Sequence, residues 1–276
     1  MSPVRYSILD PTGNITALVE SPVEPERQPE LAAELMRRHP EAEQVGFVRF
    51  PDSPEEGGAQ ADLRMAGGEF CGNAAICAAA LFLMRKGESG AENEAATVRL
   101  RVSGAAQPVE VTLWESAPGT FRAGVRMPPA LETGEREFAF EGKQGKLPLA
   151  RMQGISHLLV ERDSVFFSLR HERQAAERAV RKFCGDLGAE CLGLLFLEKG
   201  EDCRLTPLVY VPGSGTVFWE NSCASGSSAV GMILAARAGS AVDLTLSQPG
   251  GIMRVSSGSD GTRLYGQVRL LGEYEI

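Results

Sequence analysis

The chain has 276 residues, 43% of them hydrophobic, with 28 Lys+Arg against 36 Asp+Glu and a net charge of −8 at pH 7. That length suits one large domain or two of ordinary size, and the acidic balance disfavours nucleic acid or an anionic membrane as a partner. No apolar run reaches the roughly 18 residues of a membrane span and the first ten residues lack the basic and apolar regions of a signal peptide, so the sequence reads as a cytoplasmic protein.

In chain order, residues 15–20 read as a strand, 29–38 as a helix by their apolar periodicity, and 44–50 as a second strand. Gly57-Gly58 reads as an exposed loop, as does 88–93; between them, 73–85 is apolar nearly all round until its basic end, the pattern of a helix buried on every side. Short alternating segments at 97–102, 109–113, 122–126 and 253–257, separated by turn residues, point to antiparallel sheet. Residues 127–134 read as a crossover between halves. After it come a strand at 157–161, a helix at 173–182, a strand at 192–197 and another all-apolar helix at 226–237. The second half thus repeats the first at a nearly constant offset, which implies one unit used twice. The expected architecture is α+β, two pseudo-symmetric lobes, each an antiparallel sheet or barrel wrapped around a central buried helix. One lobe takes 1–128 with 263–276, the other 129–262, and the active site lies in the cleft between them.

Six cysteines occur, none in a CxxC pair, which argues against a zinc knuckle; no metal is expected. Cys77, Cys184, Cys191 and Cys203 read as small buried hydrophobes. Cys71 and Cys223 are different, because each opens an all-apolar helix, follows a glutamate at short range (Glu69 and Glu220) and precedes small or polar residues. A helix N-terminus carries about half a positive charge and several free N–H groups, so it binds carboxylates and lowers the pKa of a nearby thiol. Two such ends together could hold one substrate carboxylate on the N–H groups of Gly72, Asn73, Ala224 and Ser225. They would set Cys71 and Cys223 on opposite faces of its α-carbon, one thiolate removing a proton and the opposing thiol returning one. The same donors would stabilise the developing negative charge, so no cofactor is needed. The alternative is two structural cysteines at the start of two core helices. Glu69 and Glu220 orient these loops, contact the substrate amine, or are solvated loop charges.

On these motifs the chain resembles the diaminopimelate epimerase-like superfamily over essentially its whole length, and within it most of all the histidine racemases of opine-type metallophore pathways. Asp10-Pro-Thr-Gly-Asn14 looks like the family's opening loop, whose asparagine contacts substrate, and Gln44 like the glutamine after the first helix. Glu69-Phe-Cys-Gly-Asn73 and Glu220-Asn-Ser-Cys-Ala-Ser-Gly226 look like the two catalytic loops, which brings Asn221 into the substrate-binding set. Gln248-Pro-Gly-Gly251 looks like the late turn, and 266–271 like a closing strand that returns to the first lobe. The resemblance implies a cofactor-independent amino-acid racemase, with histidine as first substrate and a fold compatible with a homodimer. Two departures speak against diaminopimelate: Ile155 stands where the epimerase has asparagine, and 211–215 carries no arginine, so the clamp on a distal carboxylate is missing. Ala224 replaces the usual glycine after the second cysteine. His157 either lines the distal pocket or is a satisfied structural histidine, whereas His39 and His171 read as surface residues. The competing readings are a racemase for another amino acid and a binding protein that has lost catalysis.

Two thiols near enough to flank one carbon are near enough to oxidise to a disulfide. Peroxide treatment is therefore predicted to abolish activity and a thiol reductant to restore it, as read by a chiral assay before and after reduction; full activity in peroxide without reductant would refute the facing-thiol geometry.

Overall fold

A computed structural model describes residues 3–51, 53, 58–87, 94–200, 203–213 and 215–276; the expected loops at Gly57 and 88–93 lie outside them. The chain divides into two compact units, Met1–Arg126 with Tyr265–Ile276, and Met127–Leu264. The first contains β1 (Arg5–Asp10), β2 (Thr16–Val19), α1 (Gln28–Arg38), β3 (Gln44–Arg49), β4 (Ala61–Met65), α2 (Gly72–Lys86), β5 (Ala96–Val102), β6 (Val109–Ala117) and β7 (Thr120–Met127). The second contains β8 (Glu132–Phe140), β9 (Lys143–Met152), β10 (Ile155–Glu161), α3 (Arg173–Leu187), β11 (Leu192–Glu198), β12 (Cys203–Val211), β13 (Thr216–Trp219), α4 (Ala224–Ala238), β14 (Val242–Gln248) and β15 (Gly251–Gly258). A last strand, β16 (Gly261–Glu275), starts in the second unit and finishes in the first.

In the first unit β1 to β7 lie side by side in sequence order, and β16 pairs with both β7 and β1, closing an eight-strand barrel. The β1–β16 seam runs antiparallel from Arg5↔Glu275 to Asp10↔Arg269, with a bulge between Ile8 and Leu9. Helix α2 packs against β2, β4, β5 and β6, and every residue from Gly72 to Leu83 is buried. Its alanines (74, 75, 78, 79 and 80) serve two ends: alanine has the highest helix propensity, and its small side chain lets strands approach from all directions. The helix ends at Gly87 in the left-handed conformation, φ 65°, after Arg85 and Lys86, which complement the dipole.

The second unit repeats the plan around α4, which packs against β8, β9, β10, β11, β14 and β15 and ends at Gly239, φ 62°. Its strands run in the order β8–β9–β10–β11–β12–β14–β15–β16, with β13 paired to β12 off this path. Most pairings are antiparallel as expected, but β2–β3, β4–β5, β10–β11 and β12–β14 are parallel. A helix connects each of these four pairs, and a crossover is the connection that returns the chain in the same direction. The parallel pairs fall at corresponding places in both units, so the duplication extends to topology, with β13 as an addition to the second copy.

Several expectations change. The segment 127–134 is a connection only at 128–131, because Met127 ends β7 and Glu132 opens β8. His39 is no free surface residue: it packs against Tyr6 and Tyr274 at ring separations of 5.6 and 4.9 Å and meets the Tyr6 hydroxyl at 3.1 Å. Cys77 and Cys184 are buried, but Cys191 and Cys203 are partly exposed.

Outside α4, α3 lays an apolar face of Ala175, Ala176, Ala179, Val180, Phe183 and Cys184 on the sheet. Phe183 is fully buried, its ring 4.6 Å from Phe138, 5.3 Å from Phe166 and 6.1 Å from Phe140. Phe183→Ala is expected to cost about 3–5 kcal/mol through lost burial and the cavity left behind, measured as a lower urea midpoint at unchanged slope.

Candidate active site

Cys71 and Cys223 occupy one local geometry. Each is the N-cap of its helix with extended backbone, φ −130° and ψ 114° at Cys71, φ −122° and ψ 107° at Cys223. Each sulfur accepts a hydrogen bond from the N–H three residues on, Ala74 at 3.4 Å and Gly226 at 3.2 Å. Each carbonyl accepts the first intrahelical bond, from Ala75 at 3.0 Å and Ser227 at 2.9 Å. The sulfur thus does the capping task usually given to a Ser, Thr, Asp or Asn oxygen. Neither helix has an acidic residue in its first turn, so no side chain there neutralises the positive end.

The surroundings differ. Cys71, partly exposed, donates its S–H to Gln44 Oε1 at 3.0 Å, and Gln44 Nε2 donates to Thr16 Oγ1 at 2.7 Å. Thr16 Oγ1 in turn donates to the Asn14 carbonyl at 3.0 Å. The turn before it is held by the Gly13 N–H on Asp10 Oδ1 at 2.6 Å, with Thr12 at φ 62°. Asn14 is buried; its Nδ2 donates to Glu43, and its Oδ1 accepts from Asn73 Nδ2 at 3.1 Å. The opening loop, the glutamine and the first cysteine loop, picked out separately in the sequence, therefore form one connected network. Glu69 stands apart: it is exposed, and its carbonyl accepts from Ser103 Oγ at 2.8 Å.

Cys223 is buried, 4% exposed. Its N–H donates to Gln248 Oε1 at 2.9 Å, Gln248 Nε2 donates to Ser227 Oγ at 3.0 Å, and Ser227 Oγ donates to the Cys223 carbonyl at 2.7 Å. Burial pushes its thiol well above the usual range, and the Glu220 carboxylate, within hydrogen-bonding reach, pushes the same way. Ser225 Oγ lies 3.5 Å from Cys223 Sγ and 3.0 Å from His157 Nε2. His157 is fully buried, and burial lowers its pKa to about 3, so the ring is neutral. Asn221 is exposed, with its carbonyl accepting from Gly250 at 2.7 Å, while Gly72 and Ala224 are buried in the first turns. The sequence reading missed Gln248 as a side chain that acts on Cys223, although the Gln-Pro-Gly-Gly turn carried it. It also missed Thr16 and Ser227, which bear no motif.

The chain matches the family described as the histidine racemase CntK N-terminal domain over residues 3–276. It is 29% identical over 233 residues to a histidine racemase of Fusobacterium nucleatum subsp. nucleatum, covering 82% of this chain and 79% of that one. To a histidine racemase of Staphylococcus aureus it is 26% identical over 256 residues, covering 92% and 88%. Among solved structures, a hydroxyproline epimerase from Agrobacterium vitis with bound trans-4-hydroxy-L-proline shares the fold, with TM-score 0.66 and 14% identity over 99% of this chain and 92% of that one. Among the described residues no helix is long and apolar enough to cross a membrane.

The buried imidazole generates a pH dependence. Its folded pKa, about 3, lies below the ordinary 6.5, so below pH 6.5 the unfolded chain takes up a proton that the folded chain refuses. Stability from this group is complete above pH 6.5 and falls by about 1.4 kcal/mol per pH unit as the pH drops from 6.5 towards 3. Urea titrations at stepped pH should give a shallower fall in His157→Gln than in the native chain, the difference approaching about 1.4 kcal/mol per pH unit between 6.5 and 3.

Proposed function

The chain belongs to this histidine racemase family and is an amino-acid racemase, an isomerase, and from that membership we propose that it interconverts L- and D-histidine with Cys71 and Cys223 as its two proton-transfer groups. The observation that carries the assignment of the cysteines is their shared geometry: two sulfurs, each capping a helix whose first turn holds no acidic residue and each touched by an N–H three residues on.

Racemisation needs a base on one face of the α-carbon and an acid on the other, with the substrate carboxylate held so that the carbanionic charge is stabilised. In this reading the first-turn N–H groups, those of Gly72, Asn73, Ala224 and Ser225, hold the carboxylate. One cysteine as thiolate removes the α-proton, the electron pair stays on the α-carbon, and the other cysteine delivers its own proton to the opposite face. The thiolate and thiol have then exchanged places, and the reverse reaction begins from that state. Burial and Glu220 favour the protonated form of Cys223, which supports Cys71 as the resting base. Asn14, Gln44 and Asn73 hold the Cys71 loop, Glu69 and Glu220 orient the cysteine loops or contact the substrate amine, and Asn221 belongs to the substrate-binding set. No metal or cofactor enters the scheme. Histidine as substrate is supported by similarity to the histidine racemases, and the absence of an arginine at 211–215 speaks against diaminopimelate and for an amino acid without a distal carboxylate. The cytoplasmic location, the homodimer and the supply of D-histidine to metallophore synthesis belong to the same proposal and are supported by the family resemblance.

Proton NMR of the reduced protein in heavy water with a panel of L-amino acids tests it. Histidine is expected to lose its α-proton signal and yield the D-isomer, other amino acids far less. Cys71→Ser and Cys223→Ser are each expected to lower the racemisation rate at least a hundredfold, as for removal of a general acid or base; normal turnover in both would sink the two-thiol reading.

A further inference from the structure

The second unit holds a buried titratable group that the scheme above does not use. His157 lies on β10 directly opposite Gly193 on β11. A side chain at 193 would run into the imidazole, since a Cβ built there overlaps His157 Nδ1. Glycine at that position is therefore what allows an imidazole to lie inside this layer. The ring meets one polar side chain: Nε2 is 3.0 Å from Ser225 Oγ, while Nδ1 has no hydrogen-bond partner among the described residues. Ser225 Oγ is in turn 3.5 Å from Cys223 Sγ.

These contacts fix the direction of the chain. A neutral imidazole has one N–H and one lone pair, and a buried N–H without an acceptor is the rarer and costlier of the two vacancies. The proton therefore sits on Nε2, and Nε2–H donates to Ser225 Oγ. With its oxygen accepting that bond, the serine has its own O–H left to donate, and Cys223 Sγ is in reach. We propose that His157 is a positioning residue which, through the Ser225 hydroxyl, directs a hydrogen bond onto the Cys223 sulfur when that sulfur is a thiolate.

The physical need is specific. As a thiol, Cys223 has the Glu220 carboxylate to receive its S–H. Once its proton has passed to the substrate carbon, the sulfur is an anion in a buried place beside that carboxylate. The donors that then face it are the Gly226 N–H at 3.2 Å and the Ser225 hydroxyl. Donors aligned in a chain polarise one another, and a bond to an ionised acceptor is the strong kind. No proton is transferred along the chain: the imidazole keeps its Nε2 hydrogen, the serine keeps its own, and only the Cys223 proton moves. Glu220 is the charged group acting on Cys223, and burial keeps His157 neutral, so the relay works without adding a net charge to the interior.

The inference rests on Cys223 being a proton-transfer group, and its test is read on the sulfur itself. The reduced full-length protein is alkylated with iodoacetamide at pH 8, and the rates at Cys223 and Cys71 are followed separately by peptide mass spectrometry. Loss of a bond to a charged acceptor raises a thiol pKa by about one to two units, and allowing for the higher nucleophilicity of the more basic thiolate this slows alkylation about three- to tenfold. That slowing is expected at Cys223 in His157→Phe and in Ser225→Ala, with Cys71 unchanged. The double variant should be no slower than Ser225→Ala, and His157→Gln, which keeps an N–H donor, should recover most of the rate. If His157→Phe slows Cys223 as much in the Ser225→Ala background as in the native one, or not at all, the relay is refuted. Should His157→Phe unfold, seen as rapid alkylation of buried Cys77 and Cys184, the decision passes to Ser225→Ala slowed and His157→Gln not, with any other pattern refuting it. Normal racemisation by Cys223→Ser would remove the two-thiol reading and leave the measured coupling standing, so the two failures are distinguishable.

Discussion

A helix whose N-terminal turns are buried must satisfy its first N–H groups out of reach of bulk water, and in both units one of those groups is taken by a cysteine sulfur. The sulfur of a thiol is a weak acceptor, whereas a thiolate is a strong one, so the capping bond gains strength as the cysteine becomes reactive. Structure and chemistry draw on the same lone pairs. The rest of the fold follows from keeping that helix enclosed: alanine-rich sequence so that strands can close round it, crossover helices so that parallel neighbours flank it, and glycine and basic residues at the far end to terminate it.

Around this common cap the two units have diverged in how they treat a proton. Cys71 faces an uncharged amide, itself held by Thr16 and through it by the Asn14 carbonyl, and remains partly open. Cys223 is enclosed, with a carboxylate favouring the thiol and a hydroxyl and an N–H poised for the anion. Pseudo-symmetry of the backbone is therefore compatible with asymmetry in what surrounds the two thiols.

Much of this was legible in the sequence, for identifiable reasons. The apolar runs after Cys71 and Cys223 are too uniform for surface helices, and burial from Gly72 to Leu83 bears that out. The repeated order of strand, helix and strand survived as matching parallel pairs at β2–β3 and β10–β11. Strands β8 and β9 were hidden because Glu132–Phe140 is dominated by exposed polar residues, so its alternation is faint, and a Pro-Pro pair upstream reads as a linker. The contact of His157 with Ser225 joins residues 68 apart, and Gly193 matters only for a side chain it lacks. Neither leaves a local pattern. Long-range polar contacts of this kind follow from register, and register is set by the whole sheet.

The closing strand of the first barrel carries one more consequence, for the order in which the chain becomes structured during synthesis. Residues Met1–Arg126 hold seven of the eight staves, and the eighth is β16, which follows the entire second unit in sequence. As the chain emerges from a ribosome, the first unit waits with the edges of β1 and β7 unpaired, while most of the second unit has all it needs to fold. Exposed strand edges are where chains pair wrongly, and a domain that awaits a distant segment holds them open for the time needed to translate more than a hundred further codons at about 5–20 per second. The duplicated architecture thus leaves its earliest-made half with open strand edges for longest.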